Sequence, residues 1–377
     1  MRVTLADATL ARQAGRFVWL DLDFDKPINR SFLVGHGVAY TPAFFVLDPT
    51  NERATATHLG AMTLPDVYRF LDQGERGVTG RPKTPADAAL ARGDEMLGRG
   101  RLADASAAYR AALALAQPAW PERSRALDQL TWALMADRES QACAETAAAE
   151  APSLSRDQTF ARVVLAGFSC ANQGGTASWA ETARKTLEPL AVEAVALPSV
   201  ARDDHFQLYQ QLMHAAYARR DSVTVAQWGG RWLDEIDTTI PTNDDERTAL
   251  DIARVDAVSI LGTPERALAA LAASERAMPN SYNASLRLAQ LEIGAGHYDD
   301  GLAACERGLA HAGGPIARTW LLQTKAEALV GKGDSAGARR ALEEALQAAR
   351  AIGTQRNRER NIKAITQMMA ETHDPAK

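Results

Sequence analysis

Residues 267–279 read ALAALAASERAMP, and residues 301–310 read GLAACERGLA. Ala267, Leu271 and Ser274 in the first stretch fall at the same offsets as Gly301, Cys305 and Gly308 in the second, 34 residues later. Ala338, Leu342 and Ala345 repeat the pattern 37 residues further on, and Ala105, Tyr109 and Ala112 show it much earlier. Steps of four and then three keep the positions on one face of a helix. A small residue where two helices cross lets their backbones approach, and the larger one four positions on fills the neighbouring groove. The copies follow turns such as Arg99-Gly100-Arg101, Ala295-Gly296-His297 and Gly331-Lys332-Gly333, so each reads as the second helix of a hairpin. Recurrence at a step near 34 residues is the mark of stacked helical hairpins.

The hairpin rhythm runs from residue 86 to the end. It is clear over 86–117, 246–279, 281–312 and 316–350 and degenerate over 121–237. This gives about seven helix pairs and a last helix near 355–371. Ala makes up about a fifth of the chain against 6% aromatics, which suits helices packed closely through small residues. With 42 Lys and Arg against 47 Asp and Glu, the net charge of −5 argues against a nucleic-acid partner. No apolar run approaches the roughly 18 residues of a membrane span.

These motifs resemble the tetratricopeptide repeat. The resemblance covers about three quarters of the chain and implies a mostly α fold, an α-solenoid with a concave face that binds a protein or peptide partner.

The first 76 residues have a different grammar. Leu5, Leu10 and Ala14 lie near one face of a short helix ended by Gly15. Residues 17–23, FVWLDLD, read as a strand, and 27–35 as one or two helical turns. Residues 43–47, AFFVL, read as a strand buried on both faces, with a hairpin partner over 54–59 closed by Gly60. A helix over 64–71 ends at Gly74, and 77–85, with Gly77, Gly80, Pro82 and Pro85, reads as a linker. The expected domains are therefore 1–76, joined through 77–85 to a helical array over 86–377.

Tyr40-Thr41-Pro42-Ala43-Phe44-Phe45-Val46-Leu47-Asp48, after a strand that ends in acidic residues, resembles the second half of a thioredoxin domain. The resemblance implies a truncated α/β thioredoxin-like domain. It also implies a cis-proline loop at Thr41 and Pro42 able to hold an extended peptide edge. Residues 1–81 contain no Cys, so the W-C-x-x-C motif and the thiol–disulfide chemistry it supports are absent from this sequence. The layout resembles a bacterial family of thioredoxin-like domains followed by tetratricopeptide repeats, whose members generally carry the cysteine pair. The expectation is a scaffold without redox cysteines. The alternative is the shortened form of a thiol–disulfide oxidoreductase, beginning upstream of Met1, whose repeats recruit protein substrates. The cell envelope is the compartment that the resemblance favours.

Cys143 and Cys170 lie in consecutive helical segments, where facing helices allow either a structural disulfide or two buried thiols. Cys305 occupies a repeat core position and reads as a small hydrophobe. Asp21, Asp23 and Asp25 have the spacing of a phosphotransferase strand, but no companion motif or phosphate loop follows, so they read as a solvated strand end. His36 reads as a loop residue. His205 and His214 belong to no H-E-x-x-H pattern, and residues 167–171 lack the last Gly of a nucleophile elbow. No catalytic residue, metal ligand or cofactor site is expected. Trp132, Phe160, Trp179, Tyr209, Trp228, Trp232 and Trp320 read mostly as repeat core, and the basic run 356–360 as a solvated face.

Overall fold

The computed structural model describes residues 7–23, 26–36, 38, 42–60, 62–80, 84–353 and 355–372. Packing divides the chain into two units. The first holds Met1–Val18 and Leu33–Trp228, the second Trp19–Phe32 and Gly229–Lys377.

The first element of the described residues is a 3-10 turn, Ala8–Gln13, capped by Asp7 and followed by Gly15 at φ +84°. After α1 (Arg30–Gly35) come two antiparallel strands, β1 (Ala43–Leu47) and β2 (Ala54–Leu59). Ala43 pairs with Leu59 and Val46 with Ala56, and a bulge separates Val46 from Leu47. Helix α2 (Leu64–Thr79) opens with a capping box in which Asp66 answers Thr63. Leu10, Met62, Val67 and Leu71 form the core here, with Phe17, Phe44 and Phe70 packed against them. The guanidinium of Arg16 binds Asp72 at 2.8 Å and Glu75 at 2.5 Å, tying the first turn to α2.

Three expectations for this front module need correction. Residues 17–23 form no strand; Ala14 and Phe17 make one isolated bridge, and Val18 and Leu20 are 90% and 76% exposed. A strand needs a ladder partner, and among the described residues β1 pairs only with β2. Because nothing covers both sides of β1, only Val46 in it is buried. Finally, α2 does not end near Gly74 but runs through Gly74 and Gly77 to Thr79, so the first third of the expected linker is helical. The two glycines are contact residues. A Cβ on Gly74 would lie 2.4 Å from Val46, and one on Gly77 would lie 2.7 Å from Thr55. Their absence lets α2 rest directly on the strands, where Thr55 Oγ1 donates to the Gly74 carbonyl at 3.0 Å.

From Pro85 onward the described chain is helical. The first hairpin is α3 (Pro85–Gly98) and α4 (Leu102–Leu115), followed by α5 (Arg123–Ala136) and α6 (Ser140–Glu150). The third and fourth are α7 (Gln158–Gln173) with α8 (Ser178–Val195), and α9 (Arg202–Ala218) with α10 (Ser222–Thr238). In the second unit stand α11 (Asp244–Leu261) with α12 (Glu265–Ala277), then α13 (Tyr282–Gly294) with α14 (Tyr298–Ala310). The last pair is α15 (Pro315–Gly331) and α16 (Ser335–Arg350), and α17 (Gln355–Glu371) follows it.

The seven hairpin turns share one device. A residue in the left-handed region stands in each: Gly100, Arg138, Gly175, Arg220, Gly262, Gly296 and Gly333. In six turns the next amide donates back into the first helix, as Arg101 does to the Met96 carbonyl and Glu139 to the Leu134 carbonyl. Five residues beyond the left-handed residue comes a buried position in every second helix: Ala105, Cys143, Ala180, Val225, Ala267, Gly301 and Ala338. The repeat is thus as regular over 121–237 as elsewhere. Sequence alone obscures it there because Arg138 and Arg220 replace glycine in two turns and the third turn carries an extra residue.

Candidate functional site

The first helix of each hairpin carries polar residues unusual for a helical core. In the first unit these residues are paired with one another and with the front module. Asp94 of α3 accepts from Arg125 Nη2 of α5 at 2.5 Å, Tyr109 Oη of α4 at 2.9 Å and Gln73 Nε2 of α2 at 3.0 Å. Asp128 of α5 accepts from Arg162 Nε of α7 at 3.0 and 3.2 Å. The Arg162 Nη2 group then reaches past α5 and donates to the Leu59 carbonyl of β2 at 3.0 Å. Gln158 of α7 donates to Asp204 of α9 and accepts from the Ala201 amide at 2.6 Å. Burial pushes the Asp204 carboxyl up to about 6, against the pull of Arg162 and Gln158.

The front module therefore lies against α3 and α7 through specific polar bonds. Ala54 and Thr57 of β2 come so close to α3 that a Cβ on Gly98 would lie 2.8 Å from Ala54. His36 adds a ring hydrogen bond to the Gly98 carbonyl at 3.1 Å.

In the second unit, Arg247, Asp251 and Arg254 of α11 stand at i, i+4 and i+7, on one face. Arg254 binds Asp237 at 2.9 Å and Asp251 at 3.2 Å, and Ser274 Oγ donates to Asp251 Oδ1 at 3.0 Å. Asp251 is 2% exposed, yet its Oδ2 has no hydrogen-bond partner. Burial pushes its carboxyl up, while Ser274 and the charges of Arg254, Arg247 and Arg287 pull it back. Arg247 and Arg287 are half-buried, and the Nε of each is enclosed without an acceptor. Arg287 donates only to the neutral Gln290, at 2.8 Å, and burial draws its guanidinium below the usual value.

Of the residues singled out from sequence, Thr41 and Asp25 lie outside the described residues. Pro42 is half-buried and its carbonyl accepts from the Gly60 amide at 2.9 Å. Cys143 of α6 and Cys170 of α7 are joined, with an S–S distance of 2.19 Å and Cα atoms 6.2 Å apart. Cys305 is buried, and burial pushes its thiol up to about 12, so it is inert as a nucleophile. Phe160, Tyr209, Trp228 and Trp232 are buried, whereas Trp132, Trp179 and Trp320 are half-buried. Glu292, His297 and Asp300 place a ring nitrogen and two carboxylates within 4.8 Å of one another, with His297 hydrogen-bonded to Glu292 at 2.8 Å in an exposed turn.

Sequence reading missed both sets of first-helix polar residues. Arg247, Asp251 and Arg254 carried a legible signal, since charged residues at i, i+4 and i+7 occupy a face that a hairpin must partly bury. No helix of the described residues is long and apolar enough to cross a membrane.

No protein-family model matches the sequence, and no curated protein does. Among solved structures the chain is similar to a tetratricopeptide repeat protein from Parabacteroides merdae ATCC 43184. The identity is 13% and the TM-score 0.47, and the match covers 77% of this chain and 99% of that one.

Proposed function

We propose that this chain is a protein-interaction scaffold of tetratricopeptide type that binds a segment of a partner protein on its first helices. The observation that carries this reading is the repeated hairpin itself: a left-handed turn residue and, five positions on, a buried position on the second helix, seven times over. Such a register stacks the second helices against their neighbours and leaves the first helices to present side chains. The front residues 1–76 are a thioredoxin-like segment without redox cysteines, joined through 77–85 to the array over 86–377. The order β1, β2, α2 supports this, as do the observed bounds of both strands. In this reading the segment is a structural cover for α3 and α7. The Cys143–Cys170 bond is a structural crosslink, which favours an oxidising compartment such as the cell envelope.

Panning the immobilised full chain against a displayed library of random peptides tests the scaffold. The expected result is enrichment of peptides that compete for one site at micromolar concentration. A library that yields no competing binders overturns the reading.

A further inference from the structure

Elsewhere among the described residues, a shielded arginine has an acid or backbone carbonyls as acceptors: Arg184 has the carbonyls of Ala171 and Gly175, and Arg358 that of Ile352. Arg125 has Asp94, Arg162 has Asp128, and Arg254 has both Asp237 and Asp251. Even the more exposed Arg307 and Arg219 have Glu275 and Glu188, each at 2.8 Å. Arg247 and Arg287 differ from all of these: among the arginines described, they are the two whose Nε is enclosed without an acceptor. Among the described residues no hydrogen bond or ion pair reaches the Arg247 side chain, and the Arg287 side chain has only an amide. Both act electrostatically on the single buried carboxyl of Asp251, so they belong to one cluster. That carboxyl is already held by Ser274 and Arg254, leaving it a shared counter-charge rather than a partner for either.

A half-buried guanidinium without an acid has given up hydration and gained no charge-assisted bond in return. Its planar donors match a carboxylate in a two-point geometry. Asp237, Asp251 and Asp256 nearby would repel a dense polyanion, whereas a lone carboxylate between two guanidiniums meets a favourable field. We propose that Arg247 and Arg287 are the docking point for an acidic side chain of a partner protein segment. This rests on the scaffold reading and specifies the chemistry of its ligand.

The test is fluorescence anisotropy with the full chain and a labelled hexaglutamate peptide, with hexaglutamine as control, at low and high salt. The expected result is that hexaglutamate binds at low salt and hexaglutamine does not. Arg247→Gln and Arg287→Gln each weaken binding about tenfold, the effect of one lost charge-assisted contact. Both variants melt within a few degrees of the parent chain, because neither arginine has an acid of its own to lose and Arg287 gives up a single bond to Gln290. Arg287→Lys, which keeps the charge without the fork, melts like the parent and binds less tightly, so the test stands even if Arg287→Gln does not fold. Unchanged binding of hexaglutamate by the double variant overturns the proposal. So does a parent chain that ignores hexaglutamate while still enriching neutral peptides from the displayed library, and that result leaves the scaffold standing. A parent chain that binds neither overturns both. Inorganic phosphate that raises the thermal midpoint through these two arginines, with no peptide bound, overturns the protein segment as occupant.

Discussion

The first helices of the two units treat charge in opposite ways. On α3, α5 and α7 each shielded ion has a partner, and the partners include a backbone carbonyl contributed by β2. On α11 and α13 two guanidiniums are shielded without acids around one carboxyl. The same hairpin architecture thus supports a filled polar seam in one unit and an unfilled cluster in the other. A helical repeat fixes where first-helix side chains stand but leaves their pairing to whatever lies upon them.

The largest expected effect breaks the filled seam. Arg162→Ala leaves Asp128 buried without its ion and the Leu59 carbonyl without its donor, and should cost about 3–5 kcal/mol in urea unfolding. The change in the second unit, Arg247→Gln, should cost far less, because it removes no hydrogen bond and only one of three charges that act on Asp251. Equal losses at the two positions would erase the comparison.

The next effect is covalent. The Cys143–Cys170 bond closes a loop with a sequence separation of 27 and pins the second hairpin to the third. Reduction should lower stability by about 3–4 kcal/mol on loop-closure grounds, and mass spectrometry after alkylation without reductant should count one free thiol. Three free thiols would remove the crosslink from the account.

The seam also has a pH signature. The folded state holds the Asp204 carboxyl near 6, above the 3.8 of an unperturbed Asp, so between these values folded chains bind more protons than unfolded ones. Stability therefore falls as pH rises from about 4 to about 6 and then levels, a loss on the order of 3 kcal/mol. Asp204→Asn should flatten that slope. An Asn variant that keeps it would place the titration elsewhere.

The smallest effect concerns the turns. Arg138 and Arg220 adopt φ of 65° and 58°, where glycine is unstrained. Replacing either by Gly should raise stability by about 0.5–1 kcal/mol, whereas Gly262→Ala should lower it by a similar amount, both read from thermal unfolding.

Much of this fold was legible in the sequence. An apolar run and a turn placed β1 and β2, and small residues recurring with a fixed step placed the hairpins over 86–117 and 246–350, with only the rhythm legible between them. Tertiary contact decided the rest. Gly74 and Gly77 look like helix stops and are instead where α2 meets Val46 and Thr55. Residues 17–23 alternate like a strand but have no ladder to join. The polar seam and the unpaired arginines were the least legible. Whether Arg162 or Arg247 meets an acid depends on residues 34 and more positions away in other helices, and no local pattern records that.

The bond from Arg162 to Leu59 joins residues 103 positions apart in the chain. A pure repeat array acquires structure neighbour by neighbour, so that each hairpin is complete soon after it leaves the ribosome. This chain cannot finish in that order. Its β2 can meet α3 early, but the Leu59 carbonyl finds its donor only once α7 has been made and has docked on α5. That carbonyl must wait for about a hundred residues of synthesis, and in that interval the end of β2 is open to other partners.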